Sequence, residues 1–319
     1  MATTGPNGVQ NIATFNTLQH SMKIQANGIG IEVEDTGPGN GSTGRPVVLL
    51  IMGLGMQLVA WPPGLVRALV NAGYRVVRHD NRDIGLSQHF DHLGKPNLML
   101  AFMKLKLGLP LRVPYSLKDM AADSVGVLDA LGIDKAHVVG VSMGGMIAQR
   151  VALAAPERVA SLTSIMSSSG ARGLPQAASK VMRAIMRRPA SSALDDIVAH
   201  YVYLYKTIGS PDFPIPEVEM ADRILKAVKR SFHPEGSLRQ MVAIAADTTR
   251  ANELARIIKP TLVLHGHADP LLPFPCGEDT ARRIPGARFH GIQGMGHDLA
   301  PGVVDRLQAQ IFPFLLAHR

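Results

Sequence analysis

Short apolar runs alternate with stretches of helical periodicity along most of the chain, and this alternation restricts the fold more than any other feature. Apolar runs of strand length that are separated by helices favour a parallel sheet with both faces covered. The sequence therefore predicts an α/β fold with a mostly parallel central sheet and helices on both faces. The predicted strands are Val47–Met52, Arg75–His79, His137–Val141, Val159–Met166, Thr261–His265 and Ala287–Ile292. The predicted helices are Leu65–Ala72, Leu117–Leu131, Met143–Ala155, Glu278–Ile284 and Val303–Ala317.

Three segments depart from this alternation. The stretch "SMKIQANGIGIEVEDTG" alternates apolar and polar residues about Asn27-Gly28, which predicts a hairpin. The polar residues 1–22 predict a loosely ordered N-terminal extension. Residues 167–251 are helical in pattern and contain no predicted strand, so we expect a helical cap inserted between two strands. The core then consists of residues 23–166 and 252–319.

Composition excludes several other classes of protein. With 46% hydrophobic and 18% charged residues, the chain is typical of a globular protein. The only cysteine is Cys276, which rules out an intrachain disulfide. The N-terminus lacks a basic start and an apolar stretch, and the most apolar run, "NLMLAFMKLKLGLPLRV", is interrupted by charges. We therefore expect neither a secretory signal nor a membrane span, and a cytoplasmic location.

The net charge of +8 raises the question of a nucleic-acid partner. Basic residues cluster between Arg172 and Arg188, and again between Arg223 and Arg230. Neither cluster contains interleaved aromatic residues or a nucleic-acid recognition motif. We interpret both as solvated helix faces and expect no nucleic-acid partner.

A glycine-rich segment follows the predicted strand His137–Val141. The letters "GVSMGG" have the pattern small-x-Ser-x-small between a strand and a helix, which is typical of a nucleophile elbow with Ser142 at its apex. The pattern alone also fits a serine in an ordinary glycine-rich turn. The interpretation as a nucleophile therefore depends on finding a base and an acid elsewhere in the chain.

His297 and Asp269 are the candidates for that base and that acid. His297 follows the last predicted strand, and Asp269 lies four residues after the strand that ends at His265. Open α/β sheets place their functional sites at these carboxyl ends of the strands. Taken alone, each could be a surface histidine or a turn aspartate. The three residues nevertheless follow the chain order nucleophile, acid, histidine that accompanies a nucleophile elbow.

Other histidines near Asp269 raise the alternative of a metal site. His265 and His267 with one aspartate make a poor ligand set, so we expect no metal and no cofactor. His290 lies on a predicted strand, where we expect a structural role.

A second glycine turn, Gly53-Leu54-Gly55, follows the predicted strand Val47–Met52. Backbone N–H groups in such a turn can bind the negative oxygen that develops during acyl transfer. The sequence predicts the N–H groups of Leu54 and Met143 as this oxyanion hole. A plain strand-to-helix turn is the alternative for the glycines alone.

Four segments together resemble the α/β-hydrolase superfamily from about residue 23 to 318. They are "IMGLGMQLVAW", "VVRHDNRDIGLSQ", "HVVGVSMGGMIAQRVALAAPERV" and "PTLVLHGHADPLLP…GMGHDL". The "MGLG…W" and "RHDNRDIGLS" pieces are similar to small bacterial carboxylesterases of the aclacinomycin methylesterase type. The resemblance implies the α/β-hydrolase fold with a helical cap. It assigns the family's nucleophile, acid, base and oxyanion donors to Ser142, Asp269, His297, Leu54 and Met143.

The predicted activity is cofactor-independent hydrolysis of a small-molecule carboxylic ester through an acyl-enzyme. Trp61 and Phe102 are candidates for the pocket walls, with core packing as the alternative. Many relatives have His-Gly where this chain has Met52-Gly53, which implies that a hydrogen bond bracing the oxyanion loop is missing or replaced. A perhydrolase, an amidase or a lactonase on the same triad, and a ligand-binding protein without turnover, stay open. So do the natural substrate and the oligomeric state, a homo-oligomer included.

Overall fold

The computed structural model describes residues 20–37, 44–107, 109 and 111–319. Most of the predicted N-terminal extension, residues 1–19, lies outside the described residues. The first strand begins at His20, so the predicted boundary at residue 22 is three residues too late. The reason is the hairpin register, in which His20 pairs with Asp35 and extends the ladder beyond the part that the apolar alternation covers.

The strands form one sheet. Their bounds are β1 His20–Ala26, β2 Ile29–Asp35, β3 Val47–Ile51, β4 Arg75–His79, β5 Ala136–Val141, β6 Val159–Ile165, β7 Thr261–Gly266 and β8 Arg288–Ile292. Within the described residues the order is β1-β2-β4-β3-β5-β6-β7-β8. The pairs β1–β2 and β2–β4 are antiparallel, and every other neighbouring pair is parallel. The predicted fold class is confirmed, and the predicted hairpin and all of the predicted strands form.

The helices cover the sheet and fill the segment between β6 and β7. Their bounds are α1 Pro63–Asn71, α2 Leu98–Lys106, α3 Leu117–Ala130, α4 Met143–Ala154, α5 Ser179–Met186, α6 Leu194–Ile208, α7 Glu217–Arg230, α8 Pro234–Ala246, α9 Arg250–Glu253, α10 Pro275–Arg283 and α11 Pro301–Leu316. Prolines open α1, α10 and α11, where the missing N–H costs nothing. These prolines explain why the helices begin two or three residues before the predicted starts.

Alternate residues of the central strands enter two separate cores. On β3, Leu49 and Ile51 pack with α3 and α4, whereas Val48 and Leu50 pack with α1 and α11. This division follows from the period of two residues along a strand, which sends successive side chains to opposite faces. Burial on both faces is why these strands are continuous apolar runs in the sequence.

Residues 167–251, which we call the helical insertion, contain α5 to α8 and the start of α9 and no strand. The insertion has a small apolar cluster of its own, formed by Val202, Met220 and Ile224. Its C-terminal third, from the end of α7 onward, contacts the rest of the molecule through ion pairs. These pairs are Arg230 with Asp80, Arg239 with Asp83 and Arg150 with Asp247.

The second basic cluster is only partly the solvated face that the sequence predicts. Arg223 and Lys226 form exposed ion pairs one helical turn away, with Glu219 and Asp222. Arg230 instead reaches inward to the fully buried Asp80. The helical periodicity could not reveal this partner, because Asp80 lies 150 residues earlier in the chain.

No helix in the described part of the chain is both long and apolar enough to span a membrane.

Candidate active site

Ser142 occupies the tight turn between β5 and α4. Its backbone has φ 55° and ψ −120°, a conformation that is uncommon for a residue with a side chain. A Cβ on Gly140 would lie 2.1 Å from the carbonyl oxygen of Gly144, and one on Gly144 would lie 2.0 Å from that of Ile51. The two glycines therefore allow β3, β5 and α4 to approach closely enough to form the turn. This is the geometry expected of a nucleophile elbow.

A chain of hydrogen bonds joins Ser142 to His297 and Asp269. Nε2 of His297 lies 3.0 Å from Oγ of Ser142, and its Nδ1 lies 2.7 Å from Oδ2 of Asp269. Oδ1 of Asp269 accepts hydrogen bonds from the backbone N–H groups of Leu271 and Leu272, at 2.9 Å each. An ionised Asp269 can only accept, so Nδ1 carries the proton and Nε2 is left as the acceptor for the serine hydroxyl. The structure thus brings together all three predicted residues.

The loop that carries His297 is fixed by residues that the sequence analysis missed. The N–H of His297 donates to the carbonyl of Ile208 at 2.7 Å, at the end of α6. Oγ of Ser210 donates to Asp298 at 2.6 Å and accepts from the N–H of Gly296 at 2.8 Å. These contacts come from the helical insertion. The only signal in the sequence was the aspartate directly after the histidine, in "GMGHDL".

The neighbouring histidines have other partners. His265 is fully buried, burial lowers its pKa, and its Nε2 lies 2.7 Å from the carbonyl oxygen of Leu272. Nε2 of His265 also lies 3.5 Å from Oδ2 of Asp269. The ring of His267 stacks on Phe274 with a centroid separation of 3.8 Å. The two histidine side chains therefore have separate partners. His265 contacts a backbone carbonyl, and His267 packs on an aromatic ring.

Another group of possible metal ligands lies on the loop after β4 and at the start of α8. The ligand atoms of His89, Asp91 and His233 lie within 4.8 Å of one another, and this is the one such group found within the described residues. The two imidazole rings stack face to face at 3.9 Å. The guanidinium of Arg239 lies 3.0 Å from His233 and 3.1 Å from Asp91. A cation in this place disfavours a second one, so the group fits a packing contact better than a metal site.

The turn Gly53-Leu54-Gly55 lies directly against the serine. A Cβ on Gly53 would be 3.2 Å from Cβ of Ser142 and 3.8 Å from its Oγ. Met143 is the first residue of α4, where a backbone N–H has no partner within the helix. Within the described residues, no hydrogen bond from the N–H of Leu54 or Met143 is found. Both groups are thus available to a ligand beside Oγ, and their role as an oxyanion hole stays a prediction.

Two side chains brace this turn in place of the histidine found in many relatives. Nδ2 of Asn81 donates to the carbonyl of Met52 at 2.9 Å. The N–H of Gly55 donates to Oε1 of Gln240 at 2.9 Å, and Nε2 of Gln240 donates to the carbonyl of Arg82 at 2.9 Å. The expectation of a replaced hydrogen bond therefore has a structural counterpart. Asn81 lies two residues after the end of β4, in "RHDNRD", a signal that could have found it, whereas nothing local marks Gln240.

The two predicted pocket residues have different positions. Trp61 is fully buried in the core between the sheet, α1 and α11, where it packs with other apolar side chains. This position agrees with the alternative of core packing, and a role in the pocket wall stays a prediction. Phe102 lies in α2, and its side chain is outside the described part of the structure. A better-placed aromatic residue is Tyr205 of the insertion, whose hydroxyl lies 2.6 Å from the sulfur of Met56, directly after the glycine turn.

Comparison with known protein families identifies one match. The family model described as "alpha/beta hydrolase fold" matches residues 46–300. This range contains the elbow, the glycine turn and all three residues of the hydrogen-bonded chain. It also contains the whole helical insertion.

Curated relatives include enzymes with several hydrolytic activities. The chain is 29% identical to rhodomycin D methylesterase of Streptomyces peucetius over 293 residues, covering 86% of this chain and 92% of that protein. It is 28% identical to a 2-hydroxy-6-oxononadienedioate/2-hydroxy-6-oxononatrienedioate hydrolase of Burkholderia vietnamiensis, covering 89% of this chain and 90% of that protein. The resemblance to methylesterases of the aclacinomycin type is thereby confirmed.

Solved structures show the same fold. A putative lipase from Acinetobacter baumannii superposes with a TM-score of 0.71 at 19% identity, covering 98% of both chains. The enol-lactonase from Burkholderia xenovorans superposes with a TM-score of 0.64 at 20% identity, covering 92% of this chain and 100% of that one. At such identities the likeness concerns the fold alone.

Proposed function

The chain belongs to the α/β-hydrolase family, and on that premise we propose that it is a serine hydrolase that cleaves carboxylic esters through an acyl-enzyme. The observation that carries the proposal is the continuous hydrogen-bonded chain from Oγ of Ser142 through His297 to Asp269. The likeness to a methylesterase supports an ester as the substrate class. Together they support the roles of nucleophile, base and acid for Ser142, His297 and Asp269.

The first half of the reaction forms the acyl-enzyme. Oγ of Ser142 attacks the ester carbonyl carbon while its proton moves to Nε2 of His297. The carbonyl electron pair moves onto oxygen, and the N–H groups of Leu54 and Met143 bind that oxyanion. Asp269 stabilises the imidazolium. Collapse of the intermediate breaks the bond to the alkoxy oxygen, which leaves as an alcohol with the proton from Nε2.

The second half repeats these steps with water. Nε2 of His297 takes a proton from water, and the resulting nucleophile attacks the acyl carbon. The same N–H groups bind the second oxyanion. The bond to Oγ then breaks, the proton on Nε2 returns to Oγ, and the acid leaves. Every proton is accounted for by His297, so the mechanism requires no cofactor.

We also propose that the helical insertion, residues 167–251, is a cap on the core formed by residues 23–166 and 252–319. Its contacts support this division. The end of α6 meets the loop of His297 at Ile208, and α8 meets the glycine turn at Gln240. An insertion that contacts both the base and the oxyanion turn borders the space where an ester must bind. Its helices would then shape the acyl or alcohol pocket.

Steady-state kinetics with a p-nitrophenyl ester test the triad. We expect Ser142→Ala or His297→Ala to lower kcat by about 10⁶ and Asp269→Ala by about 10⁴, with little further loss when the changes are combined. His290→Ala and Asp305→Ala are the matched controls, since both residues are exposed and lie outside the site, and they should keep parental rates. An Asp269→Asn variant within tenfold of the parent would show that the acid is misassigned.

Covalent trapping tests the nucleophile separately. An organophosphonate should add once, at Ser142, as read by peptide mass spectrometry, and Ser142→Ala should not react. Chelators should leave the rate unchanged. Activity that is lost in EDTA and restored by a divalent ion would overturn the proposal. A panel of methyl, aryl and lactone esters beside amides and peroxide then distinguishes an esterase from a lactonase, an amidase or a perhydrolase.

A further inference from the structure

The peptide group that carries the N–H of Leu54 lies between two peptide groups that are both bonded to side chains. On one side, the carbonyl of Met52 accepts from Asn81 at 2.9 Å. On the other side, the N–H of Gly55 donates to Gln240 at 2.9 Å. The central peptide has its carbonyl, on Gly53, bonded to the N–H of Met56 at 3.2 Å. Of the two polar groups of this central peptide, only the N–H of Leu54 has no partner within the described residues.

Gln240 can make these contacts in one orientation only. A backbone N–H needs an acceptor and a backbone carbonyl needs a donor, so Oε1 must face Gly55 and Nε2 must face Arg82. The side chain is fully buried, which excludes competition from water. Its amide therefore has a single hydrogen-bonded state, and the two distances of 2.9 Å are ideal for it.

The helix that carries Gln240 is itself fixed against the core. Arg239 and Asp83 form a fully buried ion pair with two hydrogen bonds, at 2.7 and 2.9 Å. A Cβ on Gly236 would lie 2.1 Å from the carbonyl oxygen of Asp83, so α8 rests directly on that backbone. Ser237 contacts the turn as well, because a Cβ on Gly55 would lie 2.8 Å from its Oγ. Gln240 thus extends from a rigid support.

The glycine turn needs such a support. Gly53 and Gly55 flank Leu54, and Gly55 has φ +69°, so the turn has few steric restraints of its own. The two peptides on either side of Leu54 share its Cα, so a displacement of the Leu54–Gly55 peptide that moves this Cα would also reorient the N–H of Leu54. Stabilisation of an oxyanion depends on donors that are oriented before the reaction, because reorientation during the reaction costs free energy.

We propose that Gln240 is a positioning residue, which acts from the helical insertion to orient the N–H of Leu54 toward the developing oxyanion. The inference rests on the proposed function, since it assigns Leu54 to the oxyanion hole. It adds that the insertion shapes the catalytic machinery as well as the pocket. Gln240 touches no substrate in this role and acts only through the turn.

Substitution by methionine tests the role, because Gln240→Met keeps the volume and removes both hydrogen bonds. We expect kcat to fall by about 10- to 100-fold, less than the 10²- to 10³-fold for deleting a donor outright, with KM within about threefold. The matched control is Val242→Ala, a buried change on another face of α8, which should lower stability and leave kcat unchanged.

Hydrogen exchange provides a readout that does not depend on turnover. Peptides that cover residues 52–58 should exchange faster in Gln240→Met than in the parent, and at the parental rate in Val242→Ala. An unchanged kcat in Gln240→Met, or an equal loss in Val242→Ala, would overturn the proposal. A parent without esterase activity would instead overturn the proposed function, and the exchange rates would still decide whether Gln240 orders the turn.

Discussion

The elbow around Ser142 and the helical insertion are built from different kinds of contact. At the elbow, backbone packs directly on backbone. At Gly140 and Gly144 there is room for a hydrogen atom on Cα but not for a Cβ. The insertion meets the core through a few long side chains that end on buried carboxylates, such as Arg239 on Asp83. The first arrangement tolerates no added atom. The second tolerates change away from the residues that contact the core, which include uncharged ones such as Gly236 and Gln240 beside the arginines.

Asp80 and Asp83, the two buried carboxylates that pair with arginines of the insertion, have pKa values shifted in opposite directions. Burial raises the pKa of Asp80, and its contacts with Arg230 and two backbone N–H groups offset only part of that effect. Burial acts on Asp83 in the same direction, but two hydrogen bonds from Arg239 and further donors outweigh it and lower its pKa. Of the two contacts, Arg239–Asp83 is thus the one in which the hydrogen-bond and charge partners fully offset the effect of burial on the carboxylate.

The largest expected effect comes from adding a methyl group at the elbow. In Gly144→Ala the new Cβ would lie 2.0 Å from the carbonyl oxygen of Ile51, and the backbone of β3 cannot yield without breaking the sheet. We expect a loss of more than about 5 kcal/mol in the free energy of unfolding, or failure to fold, and no measurable activity. Urea unfolding and ester hydrolysis are the measurements.

The control for this change is Gly64→Ala. Gly64 lies in the first turn of α1 with no atom within 4 Å of an added Cβ, so alanine should stabilise the protein by about 0.5–1 kcal/mol. A Gly144→Ala protein as stable as the parent would show that the close backbone packing is not a requirement of the elbow.

A smaller effect is expected at the charged contact of the insertion. Arg239→Met leaves Asp83 buried without its cation, and we expect a loss of about 3–5 kcal/mol in the free energy of unfolding at neutral pH. Lys226→Met removes an exposed pair with Asp222 and should cost no more than about 1 kcal/mol. Equal effects of the two changes would contradict the distinction between buried and exposed pairs.

The difference in the free energy of unfolding between the parent and Arg239→Met should depend on pH in a defined direction. The lowered pKa of Asp83 contributes stability that is present above the unfolded-state pKa of about 3.9 and is lost as the pH falls through the lower folded-state pKa. Removing Arg239 leaves burial to raise the pKa of Asp83, and the unfolded-state contribution cancels between parent and variant. The difference should therefore be largest near neutral pH and shrink as the pH falls from the raised folded-state pKa of the variant to the lowered one of the parent. A difference that grows in acid would mean that Asp83 is not the group that Arg239 stabilises.

The smallest expected effect concerns substrate preference and compares two aromatic residues of α6. Tyr201 is partly buried and packs edge to face with Phe232, whereas Tyr203 is 44% exposed and lies under Arg187 at 4.8 Å. We expect Tyr201→Ala to shift relative kcat/KM among acyl lengths by about 10- to 200-fold, and Tyr203→Ala to leave the ratios unchanged. Uniform losses on acetate through dodecanoate esters would assign Tyr201 to the fold alone.

The sequence predicted the elbow and its partners because their signals are local. Strands that are buried on both faces are continuous apolar runs, and the turn at Ser142 requires glycines at fixed offsets. The order of Ser142, Asp269 and His297 then specified which residues meet, and their hydrogen bonds agree with it.

The contacts of the insertion could not be predicted in the same way. Helical periodicity in residues 167–251 identifies helices but not which core residue each one meets. Arg239 and Asp83 are 156 residues apart, and Gln240 and Gly55 are 185 apart, so no spacing rule connects them. Trp61 illustrates the same limit, because the sequence left both a pocket wall and core packing open for it, and only the packing with α1 and α11 shows that its side chain belongs to the core cluster.

The contacts of Arg230 and Arg239 with the loop after β4 have a consequence for recombination between relatives. A chimera that exchanges residues 167–251 alone would remove both arginines. Asp80 and Asp83, which are fully buried, would then have no counter-ion. The exchangeable module is therefore discontinuous, and it consists of the insertion together with residues 80–83 and with Arg150, the buried partner of Asp247. Gene shuffling across this family should yield folded hybrids chiefly when all of these pieces come from the same parent.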